Sequence, residues 1–129
     1  SMVSGSNELV DGVIFIAPGI TLAESMWYGL RTKNIRKIME KNGITPIHLK
    51  NQWDNLAPGK YVQGLKNKQV KIILSQGDII IPYLFGKEFA NAVKEFIPNT
   101  IIEENKYLGH YGTILNFCFL SRDIGFSEN

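Results

Sequence analysis

Apolar strands alternating with amphipathic helices predict an α/β fold, a three-layer sandwich around a short and mainly parallel sheet. Two observations carry this. Val13-Ile14-Phe15-Ile16-Ala17 and Val70-Lys71-Ile72-Ile73-Leu74 are runs rich in β-branched residues that do not alternate polar with apolar, the pattern of parallel strands covered on both faces. The segments that follow them carry apolar residues three and four apart, the period of a helix with one buried face. A chain of 129 residues has room for one such domain, since typical domains run to ~150 residues, and 3–129 is read as that domain. The opening Ser1-Met2 reads as a pair left by tag cleavage and is set apart.

Along the chain, Ser4-Gly5-Ser6-Asn7 is turn-prone, and the first strand, Val13 to Ala17, closes on Pro18-Gly19. Leu22 to Lys41 places Met26, Leu30, Ile35, Ile38 and Met39 at helical spacing with basic residues between them. One or two amphipathic helices stopped by Gly43 are expected. From Ile44 to Gly64, Pro46, Trp53, Pro58 and Gly59 fall without a clean period, which predicts a loop or small subdomain. After the second strand, Val70 to Leu74, one face of a crossover helix carries Phe85, Phe89, Ala92, Val93 and Phe96, and Pro98-Asn99 ends it. Thr100 to Glu104 is the third strand. Tyr107 to Gly112 is then expected as a loop, with Thr113 capping a last helix whose apolar members are Ile114, Leu115, Phe117, Cys118 and Leu120.

Fourteen Lys and Arg against twelve Asp and Glu leave a net charge of +2, too little for a nucleic-acid or anionic-membrane footprint. An apolar fraction of 44%, with seven Phe, five Tyr and two Trp, suits a packed core and excludes intrinsic disorder. Neither a signal peptide nor a membrane-length apolar run stands out, and a lone cysteine fits a reducing compartment. A cytoplasmic protein without membrane or nucleic-acid partners is expected. His48, His110 and Cys118 make no zinc pattern, and Ala17-Pro18-Gly19-Ile20 lacks the glycines of a phosphate cradle, so neither a metal nor another cofactor is expected. Arg31, Lys33, Arg36, Lys37 and Lys41 read as a solvated helix face, His48 as a surface or packing residue, and Cys118 as a buried thiol.

Chemistry concentrates in two loops, each just after the carboxyl end of an expected strand, where open α/β sheets hold their ligands. In Ser75-Gln76-Gly77-Asp78-Ile79-Ile80-Ile81-Pro82 the carboxylate of Asp78 is placed to orient an imidazole; an aspartate there also reads as a turn or helix cap. In Gly109-His110-Tyr111-Gly112 the glycines permit a tight backbone that exposes His110 as a general base.

With these two loops the chain resembles the carboxyl-terminal half of an α/β-hydrolase, a family whose acid loop commonly reads G-x-x-D-x-x-x-P and whose histidine loop commonly reads G-H. Glu8 to Pro18 is similar to the family's strand after the nucleophile helix, and Asp78, Pro82, Gly109 and His110 match the acid and base positions in order and approximate separation. Ser75 stands at the usual glycine, which has moved to Gly77. The resemblance implies catalytic roles for Asp78 and His110 and a small ester or thioester as substrate. It also implies a lid within 22–64, where Trp27, Tyr28 and Trp53 would line an acyl pocket or else pack a small helical layer. The family's G-x-S-x-G elbow is missing, because Ser4 and Ser6 lie too close to Val13 for a strand, elbow and helix. The expected function is therefore hydrolase-like, serine esterase or thioesterase in class, with a fragment or degenerate chain that is inactive alone. The alternative is a non-catalytic α/β binding module. An unpaired first strand also predicts a homodimer formed through Val13 to Ala17 or its neighbouring helix.

Overall fold

A computed structural model describes residues 7–120. Three strands, β1 (Gly12–Ile16), β2 (Gln69–Ser75) and β3 (Ile101–Asn105), form one parallel sheet in the order β1-β2-β3. The helices are α1 (Leu22–Tyr28), α2 (Lys33–Lys41), α3 (Pro46–Gln52), α4 (Tyr83–Phe96) and α5 (Gly109–Leu115). Two 3-10 stretches, Asp54–Leu56 and Pro58–Leu65, precede β2, and a π-helical turn, Asn116–Leu120, follows α5. The α/β class and the parallel pairing of the three apolar runs are as the sequence predicts. Ser1-Met2, Ser4 and Ser6 lie outside the described residues.

The sheet has two differently furnished faces because successive strand residues point to opposite sides. Val70, Ile72 and Leu74 join Phe89, Ala90 and Val93 of α4 and Val62 and Leu65 of the second 3-10 stretch in the main core. Phe15 closes this layer edge-to-face on Phe89, ring centroids 5.0 Å apart, and burying each of these large side chains contributes about 2 kcal/mol. Lys71, Ile73 and Ser75 face the other way. There Ile73, Glu103, Asn105 and Thr113 line a shared groove, so α5 covers the second face. Lys71 is buried on that face and reaches out to Glu103, Nζ to Oε1 2.7 Å.

Four expectations need correction. The strand starting at Val13 is not covered on both faces: every residue of β1 is half-buried, because β1 is a sheet edge and α5 packs on β2. The 44–64 segment contains a helix, α3, started by Pro46 and by a reciprocal pair in which the His48 N–H donates to Thr45 Oγ1 and the Thr45 N–H to His48 Nδ1. Only Leu49 of that helix is buried, so no apolar period marks it. The buried stripe of α4 runs through Gly86, Phe89, Ala90 and Val93, and Phe96 is exposed. Gly86 sets this rotation, since a Cβ there would come within 3.0 Å of both Leu74 Cδ2 and the Pro18 carbonyl. Cys118, finally, is exposed on the π-helical turn rather than buried.

The basic segment between the first two strands resolves into α1 and α2, broken at Gly29 to Thr32. Thr21 caps α1, and Trp27 packs with Ala23 and Leu49 in a small second core that Met26, Met39 and Trp53 flank. Trp27 therefore belongs to a helical layer, while Tyr28 is exposed. α2 buries none of its residues, as a solvated basic face should. No helix among the described residues is long and apolar enough to cross a membrane.

Candidate active site

The acid loop is built by its own carboxylate. β2 ends at Ser75, the Asp78 N–H donates back to the Ser75 carbonyl at 3.2 Å, and Asp78 Oδ1 accepts from the N–H groups of Ile80 and Ile81, both at 2.9 Å. This is an Asx-type turn that leads into Pro82 and α4. The turn reading of Asp78 is thus correct, the cap position of α4 being Pro82, and the turn occupies one oxygen only.

Oδ2 of Asp78 meets Nδ1 of His110 at 2.8 Å. The pair is sheltered, with side-chain exposure of 3% for Asp78 and 16% for His110. A carboxylate can only accept, so Nδ1 carries the proton and Nε2 is left as a base. The two residues that the sequence singles out from separate loops, thirty-two positions apart, are therefore bonded partners.

His110 does not sit in an open loop as expected. It is the second residue of α5, which begins five residues earlier than a Thr113 cap implies. Gly109 makes this start possible with φ +61, a left-handed conformation that costs a glycine nothing. Thr113 instead lies inside the helix, donating to the Gly109 carbonyl at 2.6 Å and accepting from Asn105 at 3.0 Å.

Asn105, which sequence reasoning passes over, ties the two halves of the site together. Its Nδ2 donates to the Leu74 carbonyl and to Thr113 Oγ1, each at 3.0 Å, and its Oδ1 accepts from the Leu108 N–H at 3.2 Å. The end of the acid strand and the start of the histidine helix thereby hang on one amide. An asparagine at the end of a strand, four residues before the helix, is the signal that marks it. Next to it, the Tyr83 hydroxyl donates to Glu104 at 2.8 Å and, with Gln76 and Lys87, holds that carboxyl below its ordinary range despite partial burial. The first turn of α4 is so fastened to β3.

What faces the imidazole is a cleft of about 210 Å³ walled by Ile79, Ile80, Leu108 and Tyr111, with Arg31 and three glycines completing it. The Tyr111 ring stands edge-on to His110, centroids 5.5 Å apart. No hydrogen bond joins His110 to a hydroxyl or thiol among the described residues. Both described serines are buried: Ser25 donates to the Thr21 carbonyl at 2.9 Å, and Ser75 Oγ has no hydrogen-bond partner among the described residues. Nor do three or more His, Cys, Asp or Glu side chains gather as a metal site among them. His48 serves α3, far from this chemistry in role. Comparison with family models, curated proteins and solved structures finds no match to this chain.

Proposed function

We propose that the chain supplies the acid and base of a serine hydrolase of the α/β-hydrolase class, cleaving esters or thioesters of small acyl groups. In this reading Asp78 orients His110, and His110 is the general base toward a serine contributed from outside the described residues. The observation that carries it is the division of labour at Asp78. The turn needs one carboxylate oxygen, and two backbone amides hold that one; the second oxygen is aimed at an imidazole that lines a cleft. A base held in one tautomer is worth about 10²–10⁴ in rate. Placement at the carboxyl ends of adjacent parallel strands, acid before histidine, supports the same class.

Alone, the chain should hydrolyse 4-nitrophenyl butyrate barely above background, since neither described serine meets His110 and no elbow provides oxyanion donors. The test joins the chain to the segment encoded immediately before it. A G-x-S-x-G elbow there, and turnover that falls about 10⁴-fold in Asp78→Asn and in His110→Ala, is the expected result. An upstream segment without such a serine, or turnover that survives His110→Ala, overturns the reading. The second reading, a non-catalytic α/β binding module, then takes its place; the lack of any described hydroxyl bonded to His110 is what favours it.

A further inference from the structure

The cleft beside His110 contains one charged group that the Asp78–His110 pair does not use. Arg31 shares its wall, and it is the only lining residue whose charge is fixed at neutral pH. Its guanidinium makes no hydrogen bond or ion pair among the described residues. Arg36, five residues on, is a useful contrast: it donates to the Trp27 carbonyl at 2.8 Å and faces Glu40 at 4.0 Å.

Arg31 is held in register with the acid loop by its neighbours. The Leu30 N–H donates to the Ile79 carbonyl at 3.1 Å, and the Thr32 hydroxyl donates to the Gly29 carbonyl at 2.8 Å. Gly29 allows the approach, because a Cβ there would stand 2.7 Å from the Ile80 carbonyl oxygen and 2.6 Å from that of Ser25. An exposed, fork-shaped cation is thus fixed at its backbone on one wall of a mostly apolar cleft whose other polar side chains are the imidazole and Tyr111. No carboxylate lines the cleft with it, and Asp78 behind the imidazole is buried and already accepts three hydrogen bonds.

We infer that Arg31 is the anion-recognising residue of this cleft, so that its ligands are small molecules bearing a carboxylate or phosphate. A planar guanidinium pairs with either oxyanion through two parallel N–H bonds. At about 210 Å³ the cleft suits a compact acyl or aryl body rather than a long chain. For substrates, the inference rests on the hydrolase reading above and narrows it to anionic esters or thioesters; as a binding site it stands on the cleft itself.

The test is a titration of the whole chain followed by NMR, with phenyl phosphate and benzoate as probes and benzyl alcohol as the uncharged control. Saturable shifts at Tyr111, Gly112 and the Arg31 Nε–H are expected with the anions and not with the alcohol. Arg31→Gln should weaken binding about tenfold, with Arg31→Lys falling between because it keeps the charge and loses the fork. Lys37→Gln, on the exposed face of α2, should change affinity by less than about twofold. Tighter binding of one anion identifies phosphate or carboxylate as the natural group. No saturable shift in the wild-type chain, equal binding by Arg31→Gln, or shifts spread over Lys33, Lys37 and Lys41 overturns the inference. An inactive joined protein that still binds these anions through Arg31 would refute the hydrolase reading and leave this one standing.

Discussion

Asp78 performs two tasks that two substitutions can separate. Asp78→Ala removes the acceptor for the Ile80 and Ile81 amides and for His110, and should cost about 2–4 kcal/mol in urea unfolding. Asp78→Asn keeps a carbonyl for the two amides and should cost less than half as much. Its NH2 group, however, must face Nδ1, which drives the imidazole proton to Nε2, so the Nδ1–H resonance at His110 should vanish while the fold persists. Retention of that resonance in Asp78→Asn would show that the carboxylate does not set the tautomer. Asp78 and His110 are legible in the sequence because each is a titratable residue isolated among glycines and apolar residues after a strand. Asn105 and Arg31 are not. One acts through three neutral hydrogen bonds, the farthest to a carbonyl thirty-one residues away, and the other looks like any of five cations on a basic stretch until the chain folds it beside Ile79.

At the scale of elements, the capping of α1 couples the helix to pH. Thr21 accepts from the Glu24 N–H at 3.2 Å, and its hydroxyl donates to Glu24 Oε2 at 2.6 Å. That hydroxyl, helped by Lys50 and opposed by partial burial, holds the Glu24 carboxyl below its ordinary value of 4.5. A carboxyl lowered on folding stabilises the fold above its unfolded pKa and loses that contribution as pH falls through the folded one. Glu24→Gln should therefore be less stable than wild type by about 0.5 kcal/mol at pH 7, with the gap closing below pH 4.5. Chemical unfolding at neutral and acid pH checks this, and a gap that stays constant would sink it. Elements with strong periods were readable: the apolar residues expected on the crossover helix, Phe85 to Phe96, all lie in α4. α3 and the start of α5 were not. α3 buries a single leucine, and α5 opens on a glycine that reads as a helix breaker until its left-handed φ is seen to begin one.

For the molecule as a whole, every residue that assembles the candidate dyad lies between β2 and α5. β1 contributes pairing and Phe15 but no group bonded to Asp78 or His110. The sheet's class was legible because parallel strands buried in a core must be apolar without alternation. Which strand would be central was not, since β1 and β2 read alike until α4 and α5 both settle on β2.

The unequal spacing of the strands has a kinetic side. Val13 pairs with Val70, whereas Lys71 pairs with Ile101, so partners across β1 and β2 lie nearly twice as far apart along the chain as those across β2 and β3. Closing a loop of twice the length costs about 0.6 kcal/mol more, and distant pairings form late. The β2-α4-β3 unit should therefore gain its ladder first, leaving the Gln69–Ser75 edge briefly vacant before β1 docks. During refolding, pulse-labelled hydrogen exchange should protect the amides of Glu103 and Asn105 before those of Phe15 and Ala17, and simultaneous protection would refute this order. While that berth is empty, the β1 of a second chain can fill it as well as the chain's own, so the yield of exchanged dimers should rise with the concentration at which the protein is refolded.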